Sequence, residues 1–293
     1  MKESGAPLKF QRVGLVAKVA SEEALELVRA LDRALRERGV ETLYDGETAA
    51  ALAPGGTGVG REAIAARCDL VLIAGGDGTL LSVARSAPAT TSVLGINVGF
   101  VGFLAGLSRE EALPRLDEVL AGEFREDRRR RLEVTLPSGP HAGTYRALND
   151  AVLSKEAIAR ISSFSIWIGG RRIAAFRGDG VIVATPTGST AYNLSAGGPI
   201  LDPSLDAVVV TPICPHTLSQ RPLVVPDSTP IGLSVVERGR EDGVHLTLDG
   251  QEGFPVPPGA MVEVRQCATP VTLLRPPETD HFQKLVEKLN WGV

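Results

Sequence analysis

Apolar positions in the first third of the chain follow two alternating periods. Residues 13–17 are an unbroken apolar run, and after Ser21 the residues Leu25, Val28, Leu31 and Leu35 recur at helical spacing. Ser21 has the chemistry of an N-cap, Glu22 and Glu23 suit the positive end of a helix dipole, and Gly39 can take the left-handed conformation that closes a helix. The pattern then predicts a strand over 40–44, a helix over 61–67, a strand over Leu70–Ala74 apolar on both faces, a helix over 79–86 and a strand over 92–96. Ser108 with Glu111 forms a capping box opening a helix that Pro114 kinks. Strand followed by helix, repeated, means a Rossmann-like parallel sheet.

From about Leu132 helical periodicity gives way to short β-rich runs at 132–136, 164–168, 172–176, 181–184 and 208–210. Gly169 and Gly170 separate two of them as a two-residue hairpin turn, since both accept positive φ. Further runs at 231–236, 244–248, 261–264 and 271–274 suggest a second domain built as a β-sandwich or related all-β layer. Phe282, Leu285, Val286 and Leu289 mark a final amphipathic helix, expected to return to the first domain. The expected division is residues 1–124 plus 275–293 as a Rossmann-like α/β domain and 125–274 as a β-sandwich; a length of 293 residues suits two domains.

A formal charge of −4 argues against a general nucleic-acid binder, which needs a basic surface to displace counterions. The run Arg128 to Arg131, with Arg125, is flanked by Glu123, Glu126 and Asp127, and reads either as a solvated, ion-paired face or as an anion contact. Cys68, Cys214 and Cys267 stand far apart with no CxxC pair, so reduced, buried thiols are expected rather than a zinc site or disulfides. The segment MKESGAPLKFQRV lacks the apolar core of a signal peptide, and no apolar stretch approaches the roughly 20 residues that span a bilayer. A cytoplasmic protein with no membrane partner is expected.

Candidate chemistry clusters in four places. Gly75, Gly76, Asp77, Gly78 and Thr79 fall where a buried strand ends and a helix begins, where glycine amides and a helix N-terminus can approach phosphate. The alternative is a tight turn with Asp77 as a helix cap. The segment is neither a Walker A loop nor G-x-G-x-x-G. Residues 95–104, GINVGFVGFL, place Asn97 at the end of the next strand, as a substrate contact or a turn residue, with Phe100 and Phe103 suited to core packing. Asn149 and Asp150 offer an amide for an adenine edge and a carboxylate for ribose, or simply a turn. Arg177-Gly178-Asp179-Gly180 and the run 185–193, TPTGSTAYN, are rich in hydroxyls and glycine, suiting a polar nucleotide pocket with Tyr192 as a stacking or positioning face.

These clusters, in this order, resemble the ATP-dependent NAD kinases, and residues 211–219 with Arg221-Pro222-Leu223 look like that family's later signature. The resemblance is strong over residues 69–226. It implies a Rossmann-like domain followed by a β-sandwich domain, NAD bound between them, and a homodimer or homotetramer whose neighbouring subunits complete the sites. It also implies that Asp77 is the acid–base or positioning group for the adenosine ribose 2′-hydroxyl. Gly75, Gly76, Gly78, Thr79 and Asn97 would contact nucleotide phosphate, and Asn149, Asp150, Asp179, Thr187, Thr190, Ala191, Tyr192 and Ser195 would bind NAD. Mg²⁺ or another divalent cation would arrive with ATP, since no His/Cys/carboxylate cage is visible. Two departures are Val101, where leucine is usual, and Asn-Asp where Asn-Glu is commoner, which shortens the carboxylate's reach.

Two other readings compete. A lipid kinase also uses a GGDG turn, but TPTGSTAYN and the lack of a membrane-facing element disfavour it. A non-catalytic NAD(P)-sensing module would keep the pocket without turnover, and the intact Asp77 argues against it.

Overall fold

The computed structural model describes residues 8–99, 102–155, 162–217, 219–236 and 243–290. The chain forms two compact units, residues 1–128 with 271–293, and residues 129–270.

The first unit is built on a seven-stranded sheet in the order Glu41–Tyr44, Arg12–Ala17, Leu70–Ala74, Ser92–Asn97, Val271–Arg275 and Arg125–Arg129, with Leu107–Ser108 pairing off Ser92–Asn97. The inner pairings are parallel: Val13 lies opposite Leu70, and Leu70 opposite Ser92. Every residue of Leu70–Ala74 is buried, as a strand covered on both faces requires. The helix Glu22–Glu37 packs Leu25, Val28, Leu31 and Leu35 onto the sheet, each burial contributing about 1.5–3 kcal/mol. Ser21 caps it by accepting from the Ala24 amide, and Gly39 follows it at φ 75.

Three local differences have physical causes. The helix expected over 61–67 is α only over Arg61–Ile64 and tightens to a 3-10 turn over Ala65–Arg67. The helix Gly46–Leu52 was not expected from periodicity; Asp45 starts it by accepting from Thr48 N. Both bonds of the Ser108–Glu111 capping box are present, and Pro114 separates Arg109–Ala112 from Leu116–Ala121. The apolar run at 271–274, grouped by sequence with the β-rich region, is the strand Val271–Arg275 and pairs in parallel with Ser92–Asn97 in the first sheet. An all-apolar run does not declare which sheet it joins. The final helix His281–Leu289 belongs to the same unit, where Lys284 Nζ donates to Ala105 O at 2.8 Å.

The second unit holds two antiparallel sheets, each six-stranded among the described residues. One runs Arg171–Gly178, Ser162–Ile168, Ile231–Val236, Met261–Gln266, Leu132–Leu136, Gly143–Ala147; the other runs Leu223–Pro226, Ala207–Ile213, Gly180–Ala184, Asp150–Lys155, Val244–Leu248, Glu252–Val256. Val134, Phe164, Ile166 and Leu233 from the first interdigitate with Leu153, Val181, Val183 and Leu246 from the second to form the core. Gly169 and Gly170 turn their hairpin at φ 57 and 78. Among the described residues no helix is long and apolar enough to cross a membrane.

Candidate functional site

In the first unit the strand Leu70–Ala74 runs into Gly75 and Gly76, and the helix Asp77–Ala84 begins immediately. Gly75 donates to Ile96 O at 2.9 Å, and a Cβ there would lie 2.8 Å from Thr79 Oγ1, so the turn has no room for a side chain. Gly78 and Thr79 lie in the first helical turn, with Thr79 N donating to Gly76 O at 3.1 Å. Asp77 does not cap this helix. Its Oδ2 accepts from Phe103 N at 2.8 Å and its Oδ1 from Leu104 N at 3.1 Å. A Cβ on Gly102 would lie 2.0 Å from Asp77 Oδ1, so only glycine fits beside the carboxylate.

The far side of the same loop is braced by a buried arginine. Arg275 Nη1 donates to Leu104 O and Ala105 O, both at 2.7 Å, and its Nε pairs with Asp127 at 3.2 Å. Asn97, at the carboxyl end of its strand, donates from Nδ2 to Gly99 O at 3.0 Å, the turn role, while its buried Oδ1 has no hydrogen-bond partner. Phe103 is half-buried; Phe100 and Val101 lie outside the described residues.

In the second unit Asn149 and Asp150 line a cavity of about 320 Å³, together with Ala191, Tyr192, Thr247 and Asp249. The corner they occupy is held from two directions. Asp249 accepts from the amides of Leu148, Asn149 and Asp150 at 3.0, 2.7 and 3.2 Å. On the other flank Thr185 N donates to Asn149 O at 2.9 Å, Thr185 Oγ1 donates to Leu148 O at 2.6 Å, and Gly188 packs so closely that a Cβ there would meet Asn149 O at 2.1 Å. The buried Asn149 Oδ1 has no hydrogen-bond partner, an acceptor available to a ligand's N–H. Asp150 is 3% exposed, and burial, helped by the charge of Asp249, pushes its carboxyl up to about 7.

The other sequence candidates are placed as follows. Thr187 and Thr190 sit in the 3-10 turn Thr187–Thr190 that leads to Ala191; Thr187 Oγ1 accepts from Arg129 Nη1 at 3.3 Å, and Thr190 Oγ1 donates to Thr187 O at 3.4 Å. Tyr192 is 46% exposed. Ser195 ends the short helix Tyr192–Ser195 and does not line the cavity. Asp179 also lies outside that lining; Lys155 Nζ pairs with it at 2.7 Å and holds its carboxyl below the usual range.

The arginine run follows its ion-paired reading at two positions, and its two buried members fit neither reading. Arg128 and Arg130 pair with acids, Arg130 with Asp206 and Asp227, whereas Arg129 and Arg131 are buried, Arg131 donating to Thr269 O at 2.8 Å. Cys68 and Cys267 are buried as expected, but Cys214 is exposed, at φ 45 in the stretch 211–219; Leu218 in that stretch lies outside the described residues. Sequence reasoning missed Asp249 and Arg275. For Asp249 a signal existed: Asp-Gly between two strand-like runs marks a hairpin turn. Arg275 carried none beyond its place at the end of an apolar strand.

Residues 13–124 match the family model described as the ATP-NAD kinase N-terminal domain, and residues 148–275 match that of the ATP-NAD kinase C-terminal domain. A protein of Syntrophotalea carbinolica named NAD kinase is 41% identical over 285 residues, covering 97% of this chain and 99% of its own. An NAD kinase of Solibacter usitatus is 41% identical over 286 residues, covering 97% and 98%. Among solved structures, yeast NADH kinase complexed with NADH is 26% identical with a TM-score of 0.85, covering 98% of this chain and 89% of that one. An NAD kinase from Archaeoglobus fulgidus in complex with ATP, 24% identical with a TM-score of 0.75 and covering 95% and 98%, shares the fold.

Proposed function

The chain belongs to the ATP-NAD kinase family, and from that premise we infer that Asp77 is the group that receives the proton of the attacking hydroxyl. The enzyme transfers the terminal phosphoryl group of ATP to the 2′-hydroxyl of the adenosine ribose of NAD, giving NADP. A bond forms between the 2′-oxygen and the γ-phosphorus, the bond from that phosphorus to the β–γ bridging oxygen breaks, ADP departs, and the hydroxyl proton passes to the carboxylate. Phosphoryl transfer of this kind depends on positioning and charge neutralisation rather than covalent help.

The observation that carries the assignment is the double amide clamp on Asp77 at a glycine turn. It holds the carboxylate at a helix N-terminus, and each oxygen keeps a second lone pair for a substrate hydroxyl. Gly75, Gly76, Gly78 and Thr79 supply the phosphate-facing turn, and Asn97 supports it. Asn149 and Asp150 receive adenine and ribose, with Tyr192 and Ala191 against the nucleoside; Thr187 and Thr190 shape the loop, and Asp179 and Ser195 complete the NAD contacts.

Among the described residues no group of three or more His, Cys, Asp or Glu is placed to hold a metal ion. By this reading the divalent cation, Mg²⁺, enters with the substrate as its complex with ATP. The enzyme works in the cytoplasm, as a homodimer or homotetramer. The test is NADP formation from NAD, ATP and Mg²⁺ by wild type and Asp77→Asn. The wild type should turn over, with kcat in the variant down at least about a hundredfold; a protein that binds NAD but makes no NADP would instead be a dinucleotide sensor.

A further inference from the structure

Asp249 occupies a hairpin turn whose geometry does not demand an aspartate. It sits at φ 52, followed by Gly250 at φ 65, and Gln251 N closes the turn on Leu248 O at 2.9 Å. Asn and Gly accept this conformation at least as well as Asp. What distinguishes the carboxylate is its burial, 8% exposed, and its partners: Oδ2 accepts from Leu148 N, and Oδ1 from both Asn149 N and Asp150 N. A buried carboxylate is costly unless charge-assisted hydrogen bonds satisfy it, and here three consecutive amides do so. The return bond from Asp249 N to Asp150 O, 3.0 Å, locks the two segments together.

Three consecutive amides can point at one anion only if the chain curls around it, and that curl directs the side chains of Asn149 and Asp150. We propose that Asp249 is the positioning residue of the dinucleotide site, its carboxylate fixing the Leu148–Asn149–Asp150 backbone so that the Asn149 amide and the Asp150 carboxyl face the adenosine end of NAD. The proposal rests on the assignment of Asn149 and Asp150 to NAD.

Asp249 also acts on Asp150 through its charge. Burial is the larger cause of the raised Asp150 carboxyl and the Asp249 carboxylate the second. Among the described residues of the strands and helix beside it, no cation is paired with Asp150. The neighbouring strand Gly180–Ala184 has no titratable side chain, Val244–Leu248 contributes only His245, opposite Ser154, and the short helix contributes Tyr192. Lys155, at the far end of the Asp150–Lys155 strand, is engaged with Asp179.

The test compares Asp249→Gly and Asp249→Asn with wild type in steady-state kinetics. Both variants keep the turn. The glycine variant removes the anion, and the asparagine variant retains one acceptor but puts an N–H₂ group against an amide donor. Expected are a rise in KM for NAD of tenfold or more for Asp249→Gly and a smaller rise for Asp249→Asn, with KM for ATP within twofold. In Asp249→Asn the near-neutral midpoint of kcat/KM for NAD, identified by its loss in Asp150→Asn, should also move down by about half a pH unit, because a neighbouring negative charge is gone. Should Asp249→Gly fail to fold, Asp249→Asn alone decides. A fall in kcat with both KM values unchanged, the mark of a smaller folded fraction, overturns the proposal, as does an unmoved midpoint. Asn149→Ala separates the two levels: an unchanged KM for NAD there refutes the assignment of the site itself, whereas a raised KM there with wild-type values in both Asp249 variants refutes only the role of Asp249.

Discussion

A carboxyl pushed up to about 7 from 3.8 by burial and by Asp249 makes Asp150 a standing cost to the fold at neutral pH. Between about pH 4 and pH 7 the unfolded chain releases this proton while the native state keeps it, so the native state binds more protons and stability falls as pH rises; above about pH 7 both states are ionised and the loss is complete. Three pH units at about 1.4 kcal/mol each set an upper bound of roughly 4 kcal/mol, and local relaxation reduces it to about 2–4 kcal/mol. Asparagine has the size of the neutral acid and does not titrate. Asp150→Asn should therefore match wild type near pH 4, begin to exceed it by pH 5, and exceed it by about 2–4 kcal/mol at pH 8, while binding NAD less well. Urea unfolding at pH 5, 6, 7 and 8 reads the difference, with Trp167 as a fluorescent reporter inside the second unit. Parallel stability curves for the two proteins, or a variant less stable at pH 8, would refute the reasoning.

Gly102→Ala should force the Asp77 carboxylate off the Phe103 and Leu104 amides, since the new Cβ would lie 2.0 Å from Oδ1; kcat should fall at least about tenfold and stability by about 1–3 kcal/mol, and wild-type turnover would contradict the clamp. Thiol labelling of the native enzyme should modify Cys214 alone, because Cys68 and Cys267 are buried and burial raises Cys68 to about 11. Denaturant should then expose the other two, as a thiol count before and after will show.

Legibility followed how local each determinant is. The helix Glu22–Glu37, the Ser108–Glu111 capping box and the hairpin at Gly169-Gly170 were readable because cap, period and turn chemistry lie within a few residues. Leu70–Ala74 was readable as a buried strand for the same reason, and the glycine turn after it as a candidate site. The sheet to which Val271–Arg275 belongs was not readable, because its partner Ser92–Asn97 lies far away in sequence and five apolar residues suit either sheet. Arg125–Arg129 was hidden by its charge: REDRR reads as a solvated, ion-paired face rather than as a strand, yet such a sequence suits a sheet edge. At the site, Asp77, Asn149 and Asp150 stood out by motif. The groups holding them, Asp249 about a hundred residues on and Arg275 nearly two hundred from Asp77, act through long-range backbone contacts; the Asp-Gly turn at 249 was visible, but not what its carboxylate holds.

Those contacts share one logic in both units. Asp77 and Asp249 each use a carboxylate to collect backbone amides from another segment, two in one case and three in the other. A carboxylate anchored this way has a fixed position without needing a cation beside it. In the first unit the loop so gathered is gripped on its carbonyl side by Arg275, whose guanidinium takes Leu104 O and Ala105 O while Asp127 balances its charge. The loop therefore has its N–H groups on the Asp77 carboxylate and its C=O groups on the buried Arg275 guanidinium, from the last strand of the same sheet. That arrangement gives the return of the chain to the first unit a function: Val271–Arg275 completes the sheet and ends on the residue that steadies Asp77 from behind. A long-range element that looked like part of the β-rich region thus supports the loop that holds Asp77, through the arginine at its end.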